Sequence, residues 1–200
     1  MKATRIIVPL VWAAGFGWLA ATSVRLVNLP EMVSLADRVF IGKCLRVEQI
    51  SAGSVPFPLT RYFFEVRRAL KGTQPGETVT FRQVDSGRPG SGPSGLPRFQ
   101  KGQEVLLFLH EESSLGLTSP VGLSQGVFGY GKTPEGDLGV VNALKNRNLS
   151  HGLGAVEMQQ MGLAEPDLAS LRGGEPIPVE VFASLVDRIL RRETSKGVPK

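Results

Sequence analysis

Apolar and polar positions alternate through the middle of the chain, and the alternation predicts strands. Over residues 61–70, Tyr62, Phe64, Val66 and Leu70 face one way and Arg61, Glu65 and Arg67 the other. The pattern repeats over 77–84, with Val79 and Phe81 inward and Thr78, Thr80 and Arg82 outward. Residues 38–50 are rich in Val, Ile and Phe, but Gly42 and Lys43 break the alternation and predict a bulge or a strong bend. Residues 104–110 are apolar at consecutive positions from Val105 to Leu109, which predicts a strand buried on both faces. Shorter strands are expected at 115–118, 126–130 and 138–142, with Thr133-Pro134-Glu135-Gly136-Asp137 turning between the last two.

Helical spacing occurs only near the ends. Leu29, Met32, Val33 and Ala36 follow Asn28, a residue suited to capping, with Pro30 and Glu31 in the first turn. Phe182, Leu185, Val186 and Ile189 mark one face of a second helix over about 178–192. Glu180 near its start and Arg188, Arg191 and Arg192 near its end suit the helix dipole. This face is expected to pack on the strands, with docking onto a partner or a membrane as the alternative.

Between these elements the chain is punctuated by turn residues. Residues 51–59 carry Pro56 and Pro58, and Lys71-Gly72 and Pro75-Gly76 form a turn. Residues 85–102 form the longest irregular stretch, with a Gly, Ser and Pro core over 86–95 that predicts mobility. Residues 150–175 show no periodicity and read as a linker. Short strands with no intervening helices argue for a mainly β, closed antiparallel barrel or sandwich. The domain scheme is a signal over 1–23, a β domain over 24–150, a linker over 151–175, and an amphipathic helix with a basic tail over 176–200.

The N-terminus fixes the expected compartment. Lys2 and Arg5 precede an uncharged, mostly apolar stretch, and Ala21-Thr22-Ser23 offers small residues for cleavage. Export to a periplasmic or extracellular space is the expectation; the alternative is an uncleaved anchor, against which Pro9, Gly15 and Gly17 argue. Removal of the segment takes the formal charge from +5 to +3 and leaves no Trp, since Trp12 and Trp18 both lie within it. That surplus is small and there is no basic stripe interleaved with aromatics, so nucleic-acid binding is discounted. Cys44 is the only cysteine, so an exported domain would hold together without an internal disulfide. Cys44 itself reads as a small buried residue in a strand rather than a reactive thiol.

Four motifs match chemistry on paper. Gly126-Val127-Phe128-Gly129-Tyr130-Gly131-Lys132-Thr133 fits the phosphate-loop pattern, but Pro134, Gly136 and Asp137 follow where a helix must begin. Gly122-Leu123-Ser124-Gln125-Gly126 fits the serine-nucleophile pattern, and Asp137 and His151 follow in hydrolase order, yet a strand is expected after Gly126 rather than a helix. His110-Glu111-Glu112-Ser113-Ser114 begins like a zinc-protease motif but has Ser114 in place of the second His. Asn148-Leu149-Ser150 is a glycosylation sequon. No catalytic, cofactor-binding or metal-binding residue is therefore assigned.

The order of elements resembles a known type. Ala36-Asp37-Arg38-Val39-Phe40-Ile41-Gly42-Lys43 looks like the lead-in to the first strand of netrin-like modules, which include the tissue inhibitors of metalloproteinases. Tyr62-Phe63-Phe64-Glu65-Val66, Leu70-Lys71-Gly72 and Thr78-Val79-Thr80-Phe81 are similar to their second and third strands, and Gly102-Gln103-Glu104-Val105-Leu106-Leu107-Phe108 to their fourth. The likeness covers about residues 30–130 and is shared with uncharacterised exported bacterial proteins. It implies a five-stranded barrel of the oligonucleotide/oligosaccharide-binding (OB) type with a short N-terminal and a C-terminal helix. The inhibitors place a mature N-terminal Cys on the protease zinc; here the expected mature start is Val24-Arg25-Leu26, and their disulfides are absent.

The expected function is that of an exported, non-enzymatic binding module for another protein, without cofactor. Contact is expected through loops, chiefly residues 85–102, where Arg88, Arg98 and Phe99 stand ready to meet a partner. The alternatives are an inhibitor or accessory partner of a secreted metalloprotease, and a serine hydrolase using Ser124.

Overall fold

The computed structural model describes residues 25–51, 58–84, 96–160, 165–172 and 174–196. Among them the fold is mainly β. Seven strands form one antiparallel sheet: β1 (Arg38–Ser51), β2 (Pro58–Lys71), β3 (Thr78–Val84), β4 (Glu104–Leu109), β5 (Val127–Lys132), β6 (Leu138–Asn142) and β7 (Ile177–Pro178). Their order across the sheet is β3-β2-β1-β4-β5-β6-β7. The five-stranded closed barrel is thus corrected to an open seven-stranded ladder whose end strands, β3 and β7, do not pair with each other.

The sheet bends most at β1 and β2. Each is 14 residues long, and their pairing slips register between Val39 and Phe40, between Ile41 and Gly42, and between Cys44 and Arg46. Such breaks bend and coil a strand pair. A Cβ at Gly42 would lie 2.8 Å from the Phe40 ring and 3.0 Å from the Glu65 carbonyl, so this close approach needs glycine. The slips also reverse the alternation within β2. Gly42 pairs with Val66 and Ile41 with Arg68, which leaves Arg67 as an extra residue. Leu70 therefore packs on the face opposite to Tyr62, Phe64 and Val66, contrary to the simple alternation.

The coiled sheet separates two cores. Inside the curl, Phe40, Cys44, Tyr62, Phe64, Val66, Val79, Phe81, Val105, Leu107 and Leu109 are buried together. On the other face, Val39, Ile41, Leu106, Phe108, Phe128 and Val140 pack under the helices. Residues of β4 alternate between the two cores, so Val105 to Leu109 are all buried, as consecutive apolar residues require.

Helix α1 (Leu29–Leu35) starts as its sequence dictates: Asn28 Oδ1 accepts from the Glu31 amide at 3.0 Å, and Pro30 sits in the first turn. Helix α4 (Val179–Lys196) buries Phe182, Leu185, Val186 and Ile189, and Arg68 fastens its first turn through Glu180 at 2.6 Å. Its apolar face is therefore spent on the sheet and on α1. The stretch read as a linker holds two short helices, α2 (Ala155–Gln160) and α3 (Glu165–Arg172), and Leu171 of α3 enters the core. None of the described helices is long and apolar enough to cross a membrane.

Candidate functional site

Where β4 ends at Leu109, the chain does not turn back into a strand. Residues 110–119 form a hairpin closed by its own bonds. The His110 amide donates to the Ser119 carbonyl (3.1 Å), the Thr118 hydroxyl to the His110 carbonyl (2.7 Å), and the Ser113 amide to the Leu117 carbonyl (2.9 Å). The strand expected at 115–118 is thus one arm of a turn-rich hairpin, because Ser113 and Gly116 favour a tight turn over a ladder.

The curl of the sheet brings this hairpin against β3, across the seam where a closed barrel would have a ladder. Among the described residues one backbone bond crosses the seam, from the Thr118 amide to the Arg82 carbonyl at 3.0 Å. The Arg82 guanidinium adds a clamp: Nε donates to the Gly116 carbonyl and Nη2 to the Leu115 carbonyl, both at 3.1 Å. Gly116 has φ +65°, and a Cβ there would collide with the guanidinium. Glycine is required by both conformation and space. At the apex Leu115 is 59% exposed, a large apolar side chain held out into solvent.

A hollow lies on each side of the hairpin. One, of about 290 Å³, is walled by Val84, Leu96 and Leu117, with Gln83, His110, Glu111, Thr118 and Ser119 supplying polar groups. Gln83 is 3% exposed; its amide nitrogen donates to the Pro97 carbonyl at 2.8 Å, and its amide oxygen is buried without a partner. The other, of about 310 Å³, is lined by Arg61, Phe63, Thr80, Arg82 and Glu112. Beside it the Arg46 guanidinium sits 4.0 Å from the centre of the Phe63 ring, a cation–π contact.

The three residues singled out for partner contact fall differently. Arg88 lies outside the described residues. Arg98 is exposed. Phe99 is 4% exposed, with its ring edge-on to Tyr62 at 5.1 Å and Phe64 at 5.2 Å. It caps the aromatic core instead of presenting a surface. Irregular chain after Pro97 carries no periodicity from which this inward turn was legible. Sequence reasoning also missed Gln83, read neither inward nor outward, and the hairpin clamp, which depends on contacts between residues more than thirty apart.

The motif residues do not assemble. Val127–Lys132 of the phosphate-loop match is extended strand β5, and Thr133 is buried with its hydroxyl oxygen accepting from the Asp137 amide at 3.2 Å. Ser124 lies in a 3-10 turn (Leu123–Gly126) that leads into β5, whereas Asp137 follows the far end of that strand. Six strand residues separate them by about 20 Å, so no triad forms. Among the described residues no group of three or more His, Cys, Asp or Glu side chains is placed to hold a metal.

The sequon residue Asn148 belongs to a buried amide network. Its Nδ2 donates to the Val27 carbonyl (2.7 Å), and its Oδ1 accepts from Asn142 Nδ2 (2.9 Å). Asn142 and Asn146 bond each other's backbone, and Gln125 holds Arg25 and Val27. The network ties the N-terminal segment to β6 and leaves Asn148 1% exposed, closed to a glycosylating enzyme while the protein is folded.

Among the described residues, two groups are shifted from their ordinary ionisation. Burial raises the Cys44 thiol, only partly offset by a backbone hydrogen bond at Arg46. Burial, with the nearby Glu104 carboxylate, pushes the Tyr130 phenol up to about 12. Neither lies at the hairpin. Comparison of the chain with protein-family models, with curated proteins and with solved structures returned no match.

Proposed function

We propose that this protein is an exported, non-enzymatic binding module that engages another polypeptide through the hairpin at residues 110–119. The observation that carries the reading is the hairpin itself. It is closed at its base by bonds between His110 and residues 118–119, clamped near its apex by Arg82, holds Leu115 out at 59% exposure, and stands between two hollows. Pre-organised apolar projections beside pockets are what protein contacts use, since little ordering entropy remains to be lost on binding. Export rests on the pattern of residues 1–23, and kinship with netrin-like modules on the order of α1 and β1 to β4. Neither is needed for the contact surface.

The test is capture of partners from the exported fraction by the purified protein and two variants. Leu117→Asp places a charge in the apolar wall of the first hollow. Leu138→Asp places one at a 60% exposed site on β6, far along the sheet from β3. A partner lost with Leu117→Asp and retained with Leu138→Asp supports the proposal. Retention with Leu117→Asp, or loss with both, contradicts it.

A further inference from the structure

We infer that the open edge of β3 beside the hairpin takes up an extended segment of the partner as an added strand, with an acidic side chain opposite Thr80; the inference rests on the hairpin being the contact surface. Among the described strands β3 ends the sheet and pairs with β2 alone. Its backbone alternates in direction. Glu77 accepts from the Val66 amide of β2, so Glu77, Val79, Phe81 and Gln83 turn their peptide groups toward β2. Arg82 accepts from Thr118 across the seam, so Arg82, Thr80 and Thr78 turn theirs away. The hairpin takes one rung, at Arg82. Among the described residues no backbone bond reaches Thr80 or Thr78 from that side; Thr78 is exposed and Thr80 half-buried.

The two ends of the sheet are not alike. β7 is two residues long and ends in Pro178, which has no amide proton to offer. Such devices keep an edge from pairing with other chains. β3 runs over Thr78–Val84 without Pro, Gly, Lys or a register slip against β2, so its edge is an open template for a strand. Side chains set the chemistry of the occupant. In an antiparallel addition, the residue opposite Thr80 exchanges both backbone bonds with it and puts its side chain on the face shared by Thr80 and Arg82. The hollow of about 310 Å³ lies there, and among the described residues it is lined by the guanidiniums of Arg61 and Arg82 against one carboxylate, Glu112. Arg82 is held through Nε and Nη2, and its Nη1 is uncommitted among the described residues. Arg61 stands 3.7 Å from Glu48, a carboxylate that Arg46 holds more closely at 3.1 Å. A carboxylate in the hollow meets two cations, one already immobilised, and forms charge-assisted bonds. A basic side chain would meet both with like charge.

The experiment uses the purified, isotope-labelled protein and a capped pentapeptide, Thr-Val-Glu-Val-Thr, titrated to about 10 mM and read by nuclear magnetic resonance. One control peptide replaces Glu by Gln. The other methylates the backbone nitrogens of Glu and of the Val before it, which blocks a donor on each side of the strand. In the protein alone, the Thr80 amide is expected to exchange with deuterium faster than the amides of Val79 and Phe81. Equal protection would mean that the edge is already covered, and overturns the inference. On titration, the Thr78 and Thr80 amides are expected to shift saturably with the Glu peptide, with affinity weakened about five-fold or more for either control and for Arg61→Gln. Thr80→Pro removes an edge-facing N–H, leaves the bonds to β2 in place, and abolishes the shift at Thr78. Arg61→Gln changes a partly exposed side chain and keeps the test valid should Thr80→Pro fold poorly. Equal binding of the Glu peptide and either control, or no shift at Thr80, overturns the inference. If the peptides fail while Leu117→Asp still abolishes partner capture, the hairpin surface stands and only the added strand falls. If Leu117→Asp leaves capture intact, the surface itself is lost.

Discussion

Single residues decide which of the chain's chemical signals are real. Asn148 sits in a sequon, yet both ends of its amide are bonded inside the protein. Asn148→Ala strands the Val27 carbonyl and removes one of the two bonds that Asn142 Nδ2 donates, the other remaining on the Gln125 carbonyl, and is expected to cost about 2 kcal/mol in a denaturant titration. Glycosylating extracts should leave the folded wild type unmodified at this site. Cys44 is fully buried, and burial raises its thiol pKa. A thiol reagent should therefore stay idle on the native protein and react only after denaturation. Tyr130 gives a pH prediction. Its folded pKa of about 12 lies above the ordinary 10.0, so the fold favours the neutral phenol. The stabilisation is complete below pH 10 and is lost as the pH rises from about 10 to about 12, because the unfolded chain ionises first. Glu104→Gln removes the carboxylate 3.5 Å from the phenol and should move the ultraviolet titration of Tyr130 downward. The small burial of Cys44 was legible in the sequence, since a lone cysteine in a strand is ordinarily buried. The asparagine network was not, because its partners are drawn from residues 25–28, 125 and 142–148 and none of those spacings is periodic.

At the scale of elements, the strands and helices whose apolar spacing is regular were readable, and those shaped by long-range contact were not. Helix α1 and the buried face of α4 follow directly from Leu29, Met32 and Val33 and from Phe182, Leu185, Val186 and Ile189. Gly42 announced the break in β1, but not the consequence that Leu70 changes sides. The arm at 115–118 looked like a strand from composition; the bonds of Ser113 and Gly116 make it a hairpin. That hairpin is held by Arg82, and the clamp makes a sharp prediction. Gly116→Ala must tolerate a left-handed conformation, at about 1–2 kcal/mol, and displace the guanidinium as well. Amide exchange should accelerate across 113–118 while β1 and β2 remain protected. Uniform acceleration throughout the protein would show that the hairpin is not a separable unit.

For the whole molecule, the mainly β class was legible because alternation is a local property. Closure of the sheet was not, because it depends on how far coiling carries β3 toward the residues that follow β4. The coil falls short of a ladder: among the described residues a single backbone bond crosses the seam, and the gap is spanned by a hairpin with a hollow on either side. The region expected to meet a partner, 85–102, borders this seam through Leu96, while Phe99 turns inward to complete the aromatic core. The proposed binding surface is accordingly the hairpin rather than Phe99. Hydrogen–deuterium exchange of the protein with and without its captured partner tests that placement most directly. Protection confined to residues 110–119 and the adjoining end of β3 is the predicted footprint. Protection centred on β6 and the start of α4, with the hairpin unchanged, would contradict it.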